Sequence, residues 1–198
     1  MEYLDVCDEN GKPTGAVVER SIAHRDGTLH RTAHVWVIRE LDGQVQVLLQ
    51  KRSQTQESFP GMYDISSAGH IPAGTEPLPS VLRELREELG IEAKPEELTY
   101  IGFIRCRYER MFHGKPFRDN AFRLGFVYRK PVDIGSLTLQ ESEVECVRWF
   151  PLKNVAEEIR TRQDRICISE QELKLLTDYL ASGRTAERET HENSQDDL

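Results

Sequence analysis

Gly69-His70-Ile71-Pro72-Ala73-Gly74-Thr75-Glu76, followed by Arg83-Glu84-Leu85-Arg86-Glu87-Glu88-Leu89-Gly90-Ile91, is the stretch that decides the reading of this chain. A glycine loop leads into a segment with helical spacing. Pro77 and Pro79 suit a first turn, where a missing N–H would be unpaired anyway. Thr75 is the expected N-cap and Gly90 the expected stop. Leu78, Leu82, Leu85 and Leu89 recur at spacings of four, three and four. At about 100° per residue they form one apolar stripe. Glu84, Glu87 and Glu88 fall on another side, roughly 140–150° away by the same arithmetic. Like charges at i,i+3 and i,i+4 destabilise a helix by a few tenths of a kcal/mol per pair. Such a face is either solvated surface or a seat for a cation, and the glycine loop before it favours the cation. Oxygen ligands without cysteine or histidine among them suit Mg²⁺, or Mn²⁺.

Composition sets the frame. The chain has 198 residues, 38% apolar and 30% charged, with net charge −8. That is enough for one domain, read as residues 1–182, and a polar tail, 183–198, expected to be disordered. No apolar run reaches membrane-spanning length. The acidic balance argues against a nucleic-acid polymer as partner. Cys7, Cys106, Cys146 and Cys167 are scattered without metal spacing and read as reduced thiols of a cytoplasmic protein.

Along the chain, a turn at Asn10-Gly11 separates two short strands. Ala33–Arg39 and Gln44–Lys51 alternate around Asp42-Gly43, a hairpin signal. Pro60-Gly61 marks a turn before Tyr63–Ala68, and strands are expected at Leu98–Tyr108, Phe122–Tyr128 and Val144–Trp149. Helices are expected at Leu152–Arg162 and Glu170–Ser182. Ser169 with Glu172 forms a capping box for the last.

The glutamate segment resembles the Nudix box: Gly, five residues, Glu, seven residues, then Arg-Glu-apolar-x-Glu-Glu-x-Gly-apolar. Gly69 and all of Arg83–Ile91 match in identity and spacing; the first glutamate position is Thr75, with Glu76 one place late. The resemblance implies an α/β fold, a Nudix-type α/β/α sandwich with a mixed β-sheet. It implies Mg²⁺-dependent hydrolysis of a small-molecule diphosphate. Glu84, Glu87, Glu88 and the Gly69 carbonyl would hold the metal, and Arg83 would orient a glutamate. Glu143 is the favoured general base outside the box, ahead of Glu141 and Glu145. Arg52, at a strand end, is the candidate phosphate contact, and Lys51 faces the other way. A homodimer is a further expectation at the level of the family.

Beyond the box, His24–Arg31, Leu49–Ser53 and Phe59–His70 resemble the Nudix branch that includes type 1 isopentenyl-diphosphate isomerase. That resemblance implies a second metal set of His24, His30 and His70 with Asp119. His34 reads as structural. The isomerase's two proton-transfer residues align with Ala68 and Ala121, and alanine transfers no proton. The chain therefore reads as a hydrolase of a nucleoside-diphosphate-type or prenyl diphosphate. The alternatives are the isomerase itself and a non-catalytic Nudix-fold binding module.

Overall fold

Strand β3 (His30–Leu41) organises the molecule because it is buried on both faces. Ala33, Val35 and Val37 point to one side; Trp36 and Ile38 point to the other. A two-sided strand reads as a near-continuous apolar run. The computed structural model describes the backbone of residues 1–161 and 165–192, with side chains to residue 183.

β3 is paired differently along its length. Its first half pairs antiparallel with β6 (Ser67–His70) and parallel with β8 (Lys115–Tyr128). Its second half pairs with β4 (Gln44–Arg52). β4 in turn carries β5 (Tyr63–Asp64) and β9 (Val144–Pro151), and β7 (Leu98–Phe112) closes the far edge on β8. The sheet thus forks, with β6 on one prong and β4 and β5 on the other. A separate hairpin, β1 (Tyr3–Cys7) and β2 (Pro13–Glu19), lies alongside.

Helix α2 (Pro77–Leu89) covers one face through Val81, Leu85 and Leu89; α3 (Leu152–Thr161) and α4 (Glu170–Glu192) cover the other through Val155, Ile159 and Leu176. This is the expected α/β/α sandwich on a mixed sheet. Fully burying each such aliphatic side chain is worth about 1.5–3 kcal/mol. Among the described residues, no helix is long and apolar enough to cross a membrane.

Several local expectations change. Glu76, not Thr75, is the N-cap of α2, and its side chain makes no capping bond. Pro77 at N1 sets the entry instead. Val81 rather than Leu82 is fully buried, so the core stripe is rotated toward Glu84 and Glu88, which are buried beside it. Residues 109–121, read as a break between strands, continue β7 and β8 into a long hairpin. Its tip, His113-Gly114, has φ of 49° and 73°, the left-handed pair that a two-residue hairpin requires. Charged residues on both faces hid the alternation. A short helix, α1 (Arg20–Asp26), has no counterpart in the sequence reading. The last helix runs past Ser182 to Glu192; side chains beyond 183 and residues 193–198 of the expected tail lie outside the described residues, as does Arg162.

Candidate active site and metal centre

The fork in the sheet leaves an open cavity of about 260 Å³, and α2 presents its glutamates to one end of it. Glu88 is 3% and Glu84 9% exposed, whereas Glu87 is exposed. The three are therefore not a uniformly solvated face. Glu88 Oε2 accepts from the Ala68 N–H at 3.2 Å and from Gln50 Nε2 at 3.1 Å. Arg83 bridges the other two, donating to Glu84 at 2.6 Å and Glu87 at 2.7 Å.

Gly69 is a matter of space. A β-carbon there would overlap the Glu84 carboxylate. Because the far end of a flexible side chain is what must move, Gly69→Ala is expected to fold and to displace Glu84. Misplacement on that scale costs about 10²-fold in turnover. Steady-state kinetics with a melting curve would check this, and full activity in the variant would refute it.

Electrostatics gives the set its character. Burial pushes the Glu84 carboxyl up to about 7, with Glu143 and Glu87 adding repulsion against the pull of Arg83. Burial pushes Glu88 up to about 8, opposed by the nearby Ser67 hydroxyl and the Ala68 N–H and reinforced by Glu84 and Glu143. Raised this far, the two carboxyls lie where a proton and a cation compete for them near neutral pH. The donor set fits a hard divalent ion.

Glu143 joins this end. Its carboxylate accepts from Gln140 at 3.1 Å and from Gln56 at 3.4 Å. Glu145 is elsewhere, paired with Lys51 at 2.6 Å. Arg52 also lines the cavity, but its guanidinium is held by Ser58, Gln56 and Asp64. It offers a fixed cation, not a freely swinging one.

The second end gathers the histidines. The ligand atoms of His24, His30 and His70 lie within 4.8 Å of one another. His24 and His70 approach Nε2 to Nε2 at 2.9 Å. His30 Nδ1 is 2.8 Å from the Thr28 carbonyl, which fixes the proton on that nitrogen. Its buried Nε2 is left without a hydrogen-bond partner. Burial lowers all three, His24 to about 4. They are neutral imidazoles, the form that binds metal. Asp119 lies 3.8 Å from His30 Nε2 and is pinned by Arg123 at 2.8 Å.

The sequence reading missed several residues of this cavity: Gln56, Asp64, Tyr108, Arg123 and Thr32, and also Gln50, which is buried behind Glu88. None sits in a local motif. Only the strand alternation Asp119, Ala121, Arg123 hinted that Arg123 shares a face with Asp119.

A family model described as "NUDIX domain" matches residues 28–170. The chain is 39% identical over 152 residues to Nudix hydrolase 3 of Arabidopsis thaliana, covering 76% of this chain and 19% of that protein. It is 39% identical over 143 residues to an uncharacterised Nudix hydrolase of Clostridium acetobutylicum, covering 72% and 66%. The chain thus spans less than two thirds of both. YfcD of Escherichia coli is 30% identical over 195 residues, covering 96% and 95%. Among solved structures, an Ap4A hydrolase binary complex from C. elegans superposes with TM-score 0.54 at 22% identity, covering 77% and 98%. The NUDIX domain of Shewanella oneidensis NrtR complexed with ADP ribose gives 0.54 at 14% identity, covering 82% and 99%. These two show the same fold. With the family model spanning most of the chain and the glutamate helix seated over Gly69, this chain belongs to the NUDIX domain family.

Proposed function

We propose that the chain is a Mg²⁺-dependent pyrophosphohydrolase, cleaving the diphosphate of a small nucleoside-diphosphate-type substrate. One observation carries the reading. Two buried glutamates, Glu84 and Glu88, share an open cavity with Glu87 and Glu143, a set that repels itself until a cation is present.

Mg²⁺ (Mn²⁺ is the alternative) held by Glu84, Glu87, Glu88 and the Gly69 carbonyl would neutralise diphosphate charge and supply an activated water. The remaining work falls to the chain itself. Gln56 and Gln140 hold Glu143 where it can accept a proton from water. Arg83 sets the Glu84 and Glu87 carboxylates, and Arg52, on the cavity wall, would contact a phosphate oxygen. His24, His30 and His70, with Asp119, would hold a second divalent ion.

The lining favours a nucleoside over a prenyl group. Apart from Phe59, Tyr108 and Phe117 at one end, the walls are mainly carboxylates, arginines and imidazoles. A prenyl tail has little apolar wall to lie on, whereas aromatic rings stack on a base. Isomerisation is disfavoured by Ala68 and Ala121, and a mute binding module by the intact glutamates. The four free thiols suit a cytoplasmic setting.

The test is a panel of phosphoric anhydrides with Mg²⁺: ADP-ribose, Ap4A, a sugar nucleotide and isopentenyl diphosphate, beside Glu87→Gln. Metal-dependent monophosphate release, reduced at least about 10²-fold in the variant, is expected. Turnover equal in both proteins would reject the assignment, and isomer formation would revive the isomerase.

A further inference from the structure

We propose that His34 is a general acid of the hydrolysis, donating a proton from Nε2 to the bridging oxygen as it leaves, and that Glu172 is its positioning residue. The proposal rests on the hydrolase reading above.

The geometry begins in the strand register. His34 is the Cα partner of Ala68, the residue whose N–H binds Glu88. Facing residues of paired strands lie about 4.5–5.5 Å apart, so the ring stands one strand from the metal-binding carboxylate. It lines the same cavity.

One ring nitrogen is hydrogen-bonded and the other lies against a carboxylate. Nδ1 faces Glu172 Oε1 at 2.7 Å, and Nε2 lies 3.0 Å from the Thr32 hydroxyl, itself on the cavity wall. A carboxylate behind one nitrogen with the other presented to a cavity is the arrangement that orients an imidazole for proton transfer. Here the carboxylate comes from the first turn of α4, far along the chain.

Glu172 is 4% exposed. Although burial opposes its charge, Arg123 at 2.8 Å and His34 hold its carboxyl far below the usual carboxylate range. Its other bonds are from Ser169, N–H and hydroxyl, at 3.2 and 2.9 Å. The groups facing the ring are Glu172 from α4, Thr32 from β3 and, further off, His70 from β6. Arg123 and Asp119 on β8 stand behind the carboxylate, and Tyr108 on β7 lies 5.9 Å from the Arg123 guanidinium. The fixed anion lies on the Nδ1 side of the ring, and Nε2 is the nitrogen on the cavity side. A helix needing only an N-terminal cap gets one from Ser169 at far lower cost than a buried carboxylate, arginine and histidine.

The step balances. The water oxygen bonds to phosphorus as the bridging P–O bond breaks. The bridging oxygen takes the His34 proton. The proton lost by water passes to Glu143 and returns to His34 through solvent.

The experiment compares wild type with Glu88→Gln, His34→Asn and Glu172→Gln, using Mg²⁺ with ADP-ribose and with Ap4A. Asparagine keeps a donor toward Glu172 but carries no transferable proton. For His34→Asn, kcat should fall by roughly 10²-fold with KM little changed, and the alkaline limb of the pH–rate profile should vanish. Glu172→Gln should shift that limb to lower pH. A folded His34→Asn with wild-type kcat and an unchanged profile overturns the proposal. So does a fall in activity that only tracks a lower melting temperature while the profile keeps its shape. Wild type inactive on both substrates, or Glu88→Gln fully active, instead refutes the hydrolase reading, and the proposal goes with it.

Discussion

Glu88→Gln is expected to abolish metal-dependent turnover, by about 10³-fold or more, and at the same time to stabilise the metal-free protein at alkaline pH. The second effect follows from linkage. The carboxyl sits near 8 in the folded chain against a reference of 4.5. Its folded value is raised, so the native state holds a proton that the unfolded state has lost. Stability therefore falls as pH rises from about 4.5 toward 8. Glutamine removes that fall. At pH 9 without metal, the variant should exceed wild type by about 2–4 kcal/mol. Saturating Mg²⁺ should reverse the order, because wild type alone gains binding energy. Denaturant titrations at pH 6 and pH 9, with and without Mg²⁺, would check both. A variant less stable than wild type at pH 9 in chelator would mean that Glu88 is a structural anchor.

Arg123→Leu carries the largest expected stability loss. The guanidinium lies between Asp119 and Glu172 at 2.8 Å from each, and all three side chains are nearly inaccessible to water. Removing one partner of a buried ion pair costs about 3–5 kcal/mol, since the stranded charge has no replacement. Here two carboxylates are stranded. The double variant Arg123→Leu, Glu172→Leu should recover part of the loss. The Glu172 carboxyl is depressed in the folded state, so its contribution is present above its unfolded value near 4.5 and is lost as pH falls toward the folded one. Urea melts at pH 7 would measure the loss. A change below about 1 kcal/mol, the scale of a surface pair, would show that water reaches the network.

How far the chain could be read depends on whether the signal is local. The α2 segment announces itself through leucine spacing, paired prolines and Gly90, because these act within a few residues. The Asp42-Gly43 hairpin and the Ser169–Glu172 capping box are local in the same way. The burial of Glu84 and Glu88 is not: a glutamate run that faces water and one that faces a forked sheet are spelled alike. Helix α1 is too short for periodicity to register, although it carries His24 into the cavity. Arg123 with Glu172 joins residues far apart in sequence, and nothing near either names its partner. For the same reason His34 reads as an ordinary strand residue until α4 is seen against it.

The N-terminal turn of α4 has a practical consequence for anyone trimming this protein. The family match ends at residue 170, and a fragment cut to that limit would look complete by homology. It would lack Glu172, leaving His34 without its anion and Arg123 with Asp119 alone. The folded unit is longer than the stretch that the family model matches, and expressed fragments should keep at least the turns of α4 that carry Glu172 and Leu176.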